Sequence, residues 1–153
     1  MTEFASTHLG LIRYHDADLL HFPSGLPAFE SERRFVAVRK EETAPFVFLQ
    51  SLSTPDLAFI TLPVECVAAG YEAVLTADDA DVVGLHAEAP ANNGHDVRCL
   101  VIVTVPDGGP ATANLIAPVI WNRTTGAAVQ AIRPEPGYSP SHPLCPAVEV
   151  APC

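Results

Sequence analysis

Two dense apolar runs, residues 46–52 and 57–62, flank the polar tetrapeptide Ser53-Thr54-Pro55-Asp56. In an extended chain Phe46, Phe48 and Gln50 share one face, and Val47, Leu49 and Ser51 share the other. Both faces begin apolar, so the strand should be covered on both sides near its start. Pro55 presets φ, and the Ser and Asp side chains can hydrogen-bond nearby backbone, which is turn chemistry. The pattern predicts an antiparallel pair at the middle of an all-β core. A buried helical segment over 57–62 is the alternative.

The rest of the chain repeats the theme on a shorter scale. A strand is expected around residues 8–14 and another around 18–22. Residues 22–30, FPSGLPAFE, form a loop held by two prolines and a glycine. Its apolar residues Phe22, Leu26 and Phe29 exceed what a solvated loop requires, so they plug the space beneath it or face a partner. RFVAVR at 34–39 alternates as a short strand, and Lys40-Glu41-Glu42-Thr43 is a polar turn. Residues 63–65 close the second central strand, and 66–69 fit a short strand or a turn of helix. Residues 75–85 carry the best helix signal: Thr76 is placed to cap, with Asp78 and Asp79 in the first turn. Residues 89–96 are turn-rich. VRCLVIVTV at 97–105 is β-branched and apolar on both faces, a buried strand. Pro106-Asp107-Gly108-Gly109-Pro110 makes a hairpin of it with 111–116. Pro118 cannot donate to a ladder, so that second strand should bend there or run on an edge. Residues 122–126 turn, 127–132 form a further strand, and the Pro-rich stretch from 134 is expected to be extended and loosely held, fraying beyond 144. The resulting class is mainly β: a compact, antiparallel, barrel-like single domain over residues 1–144 with one or two short helices, then a flexible tail over 145–153.

Composition changes the picture in one respect. Of 153 residues 48% are hydrophobic, enough for a packed core, while 18 acids against 8 bases give a formal charge of −10. Phosphate recognition needs clustered Lys and Arg, so a direct nucleic-acid or anionic-membrane surface is not expected. Basic or uncharged partners fit better, although an acidic surface also serves solubility alone. No secretory pattern opens the chain and no run approaches a membrane span, so a cytoplasmic location is expected.

The candidate chemistry is sparse. Cys66, Cys99, Cys145 and Cys153 form no CxxC and are expected as free thiols, Cys99 as a small buried hydrophobe. The six histidines stand apart, and no HExxH, nucleophile elbow or phosphate loop is present. Asp78, Asp79 and Asp81 lack the glycine and closing glutamate of a calcium loop. No catalytic residue, cofactor or metal is assigned, and the chain is expected not to be an enzyme.

Four segments, taken in order, carry a resemblance: FPSGLPAFE at 22–30, PFVFLQSLSTPDLAF at 45–59, residues 101–122 with VTVPD and ATANLIAP, and 138–144 ending His142-Pro143-Leu144. Together they resemble the bacterial flagellar assembly factor FliW family. Ala28 stands where that family usually has glycine, so an ordinary backbone angle is expected there. Phe48 stands where tryptophan is common, and Ser141 where arginine commonly precedes the histidine. The resemblance implies a small β-barrel-like protein that binds and does not catalyse, with two mutually exclusive partners. One is newly made flagellin, held in the cytoplasm before export, whose terminal segments are amphipathic helices. The other is the carbon storage regulator CsrA, a basic RNA-binding dimer that represses flagellin synthesis. Freed of flagellin, the factor would antagonise that regulator.

Apolar partner contacts are expected among Phe22, Leu26, Phe29 and Trp121, each of which also suits ordinary core packing. Acidic contacts are expected among Asp78, Asp79, Asp81 and Glu88, which also suit a solvated face. Two other readings make different demands. A small-ligand-binding barrel without a flagellar role requires a deep apolar cavity. An enzyme with a Cys–His or carboxylate site assembled in space requires titratable groups converging in a cleft.

Overall fold

The computed structural model describes residues 2–68, 70, 71, 73, 75–85, 96–108, 110–132 and 138–144. In chain order these residues form β1 (Thr2–Ser6), β2 (Gly10–Tyr14), β3 (Leu19–His21), β4 (Arg34–Arg39), β5 (Val47–Ser51) and β6 (Ala58–Pro63). Helix α1 (Ala77–Val83) follows, then β7 (Val97–Thr104), β8 (Thr112–Ala113), β9 (Val119–Asn122), β10 (Ala128–Gln130) and β11 (His142–Pro143). Single 3-10 turns cover Asp16–Asp18, Glu41–Thr43 and Val64–Cys66.

The expected central pair is β5 and β6, joined antiparallel with Val47 opposite Thr61 and Gln50 opposite Ala58. They sit mid-sheet in the order β10-β9-β7-β6-β5-β4-β3. At eight residues β7 is long enough to serve several neighbours. Its second half pairs with β6, its first half with β9, and its last residues with β8. Pro118 accounts for the break between β8 and β9, since it has no N–H for the ladder. The hydrogen-bonded path does not close into a barrel. Its end strands β3 and β10 meet at one isolated parallel bridge, His21 with Ala127.

The period-two alternation divides the side chains between two cores. Phe35, Ala37, Leu49, Leu100, Val119 and Trp121 point to one face. Val97, Cys99, Val101, Val103 and Ile120 point to the other, where α1 presses Ala80 and Val83 against them. A third cluster forms where the β1–β2 hairpin lays Ile12 and Tyr14 on Val36, the outward residue of β4. Thr2–Ser6 was not anticipated as a strand, because one large apolar residue, Phe4, gives no readable alternation; its pairing with β2 is a matter of backbone register.

Two expectations need correcting. Residues 138–144 are not loosely held. β11 pairs with β8, Leu144 is buried, and the Tyr138 ring packs at a tilt of 51° on Tyr71 with centroids 4.6 Å apart. These apolar anchors outweigh the extended preference of the prolines, and Pro143 is tolerated because β11 is an edge strand. Ala28 does not have an ordinary backbone angle: its φ is +70°, in the left-handed region that favours glycine. The connection at 86–95, including Glu88, and the tail at 145–153 lie outside the described residues.

Candidate functional site

The loop at 22–30 is folded by its own backbone. Phe22 accepts from Gly25, and Leu26 and Phe29 exchange N–H···O bonds of 3.3 and 2.7 Å. The chain turns twice in nine residues, which requires left-handed backbone at Gly25 and Ala28. Gly25 has no alternative, since a Cβ there would lie 2.3 Å from the Glu30 carbonyl oxygen. Behind the loop, the Glu32 carboxylate accepts from the Ser51 hydroxyl and, at 2.7 Å, from that of Thr54. The loop is thereby tied to the turn between β5 and β6.

The loop's aromatics run from core to surface. Phe22 is 1% exposed and meets Phe35 edge-on, Phe35 contacts Phe59, and Phe59 meets the ring of Phe29 at 5.5 Å and 78°. Phe29, at the outer end, is 41% exposed. Leu26 and Trp121 are 2% and 5% exposed, in the same core as Phe22, and the Trp121 indole N–H donates to the Leu19 carbonyl at 3.2 Å. Of the four apolar candidates, Phe29 alone offers a substantial surface. The other three do what large hydrophobic side chains do in a β core.

The acidic candidates are set by α1. Thr76 caps it, its hydroxyl accepting from the Asp79 N–H at 3.2 Å, and Gly84 ends it at φ +69°. With Ala80 and Val83 facing the core, Asp78 and Asp81 are exposed and Asp79 is half-buried. Asn122 on β9 donates to the Val83 carbonyl at 2.8 Å and holds the helix end to the sheet.

Loop, helix and β10 meet along a groove of about 310 Å³. Pro23, Gly25 and Pro27 form one wall, Val82 the other, and Val129 part of the floor. Its charged lining groups are Glu30 and Asp79, both acids. The structure thus brings Asp79 beside the loop and places Phe29 one residue from the groove wall at Glu30. Glu30 was missed as a site residue. The signal available was its place at the end of the loop motif.

The two cysteines among the described residues, Cys66 and Cys99, are free thiols. Burial, and then the nearby Glu65 carboxylate, push the Cys99 thiol up to about 12 and the Cys66 thiol upward as well. Both stay protonated near neutrality, the unreactive form of a thiol. Among the described residues no group of three His, Cys, Asp or Glu is placed to hold a metal ion, and no helix is long and apolar enough to cross a membrane.

Comparison with known proteins adds what the geometry does not state. The family model described as "FliW protein" matches residues 3–144. The flagellar assembly factor FliW of Heliobacterium modesticaldum is 34% identical over 139 residues, covering 90% of this chain and 87% of that protein. The Bacillus subtilis flagellar assembly factor FliW is 32% identical over 136 residues, covering 88% and 91%. A crystal structure of the flagellar assembly factor FliW superposes with a TM-score of 0.78 at 32% identity, covering 95% of this chain and 98% of the other.

Proposed function

Because the chain belongs to the FliW protein family, we propose that it binds flagellin in the cytoplasm and, when free of it, binds and antagonises the regulator CsrA. Release of CsrA's repression of flagellin synthesis is then the output. The observation that carries this reading is the groove between the 22–30 loop, α1 and β10. It has an apolar wall and, among the described residues, a charged lining made of acids alone. Phe29, next in the chain to the groove-lining Glu30 and packed on Phe59, supplies a half-exposed aromatic for the apolar face of a helix. Asp78 and Asp81 extend the negative field outward along α1, and the net charge of −10 attracts a basic partner from a distance. A single groove used by both partners makes the two complexes mutually exclusive.

Charge reversal at the outer edge of the groove is the direct test. Asp81 lies in the last turn of α1, where a cation suits the helix dipole, so Asp81→Lys changes the field without weakening the helix. Combined with Glu30→Gln it should weaken CsrA binding by about tenfold and flatten the salt dependence. Unchanged affinity with unchanged salt dependence would remove the groove from the account. A barrel with a ligand in its interior is not favoured, since side chains of two packed clusters occupy both faces of the sheet.

A further inference from the structure

A second concavity shares no lining residue with the groove, and its chemistry is the opposite. Five adjacent strands, β4, β5, β6, β7 and β9, or the residues next to them, contribute to one cavity of about 150 Å³ at one end of the sheet. Register explains how they meet: Arg39 pairs with Val47, Leu100 with Pro63, and Arg98 with Trp121. Paired residues share a face, and residues two apart on each strand do too. An inner row of Val47, Leu100 and Trp121 therefore forms an apolar floor. The outer row carries Arg39, Arg98 and Arg123, with Glu65 the single acid. Arg39 and Arg123 outnumber the one acid of the described lining, within a molecule whose formal charge is −10.

The Arg123 side chain shows that this rim is incomplete. Its guanidinium lies over the Trp121 ring, 5.4 Å from the centroid. Its Nε is buried with no hydrogen-bond partner. Buried donors are normally satisfied, and a guanidinium is satisfied best by two oxygens in one plane. Among the described residues no acid lies within ion-pair distance of Arg39 or Arg123.

We propose that this arginine-rimmed pocket binds a carboxylate carried on an apolar stem, with the oxygens on Arg39 and Arg123 and the stem over Trp121. The apolar floor selects against inorganic phosphate, which has nothing to place there, and the planar fork of arginine suits a carboxylate. Two sources share this chemistry, a small free carboxylic acid and the acidic side chain or chain end of a peptide. The site does not depend on the flagellar reading, since it uses none of the groove residues.

Trp121 is the only tryptophan of the chain, so its fluorescence reports the floor directly. The probes are hexanoate, hexanamide, inorganic phosphate, and the acetylated peptide Leu-Leu-Leu with a free or amidated C-terminus. Hexanoate or the free-acid peptide should change the emission saturably, and the two neutral amides should bind at least about tenfold more weakly. Tighter binding of the peptide acid identifies a protein chain as the source, and equal or tighter binding of hexanoate a small molecule. Arg39 and Glu65 are both exposed, so Arg39→Gln and Glu65→Gln should leave thermal unfolding unchanged. The first should weaken the acid and the second tighten it, each several-fold, and in opposite directions. Acids and amides binding alike, phosphate binding as well as hexanoate, or no saturable response would each overturn the proposal.

Discussion

Left-handed backbone at two loop positions separates residues that look equivalent in the sequence. Gly25 and Ala28 sit three apart in FPSGLPAFE, with φ of +71° and +70°. A side chain at 25 would collide with the Glu30 backbone, whereas Ala28 already carries its Cβ and only the dihedral strain remains. Ala28→Gly should therefore raise stability by about 0.5–1 kcal/mol, and Gly25→Ala should lower it by more than about 2 kcal/mol. Thermal unfolding of the two variants checks both signs, and equal effects would show that the loop does not hold this shape. Cys99 gives a second test at this scale. Its ordinary thiol value is 9.0, raised to about 12 in the folded protein by burial first and Glu65 second. The folded state holds the proton more tightly, so this contribution is intact below pH 9 and lost as pH rises from 9 towards 12. Denaturant unfolding at pH 8 and pH 10 should show a loss of about 1 kcal/mol at the higher pH that Cys99→Ala abolishes.

At the level of elements, buried polar side chains join pieces that the hydrophobic pattern does not connect. Gln50 is fully buried on β5. It accepts from Ser6 at 2.6 Å and donates to the carbonyls of Thr54 and Pro55 at 3.3 and 3.2 Å. The β1–β2 hairpin is pinned to the β5–β6 turn through this side chain and the Thr7 N–H···O bond to Pro55. Gln50→Leu keeps the volume but strands these partners, at a cost of about 1–3 kcal/mol. Faster hydrogen exchange at the Thr7 amide would place the damage at the hairpin, and unaltered protection there would refute the pinning. Strands such as β4 and β7 were legible because β-branched and aromatic residues alternate along them, and α1 because Thr76 and its aspartates mark a helix start. The hairpin of β7 with β8 was legible from its Pro-Gly turn, whereas β1 and β11 were not, since a strand of mixed polarity or of two residues exists by virtue of the partner it pairs with.

For the whole molecule, alternation along each strand predicts a β sheet covered on both faces, and the structure has one. It does not predict which surfaces converge. Asp79 and Glu30 meet only because α1 packs on β10 beside the loop, and Arg39, Arg98 and Arg123 meet only through registers across five strands. Of the residues expected to face partners, Phe22, Leu26 and Trp121 are interior, while Phe29 and the α1 aspartates remain on the outside. An acidic groove and a positive pocket on one small acidic protein give it two chemically distinct places to be recognised. Titration calorimetry of the purified chain against flagellin and against CsrA, singly and in competition at two salt concentrations, asks whether one groove serves both partners. Each partner should bind alone, saturation with one should prevent binding of the other, and the CsrA complex should weaken as salt rises. Simultaneous binding of both, or binding of neither folded partner, would contradict that shared use.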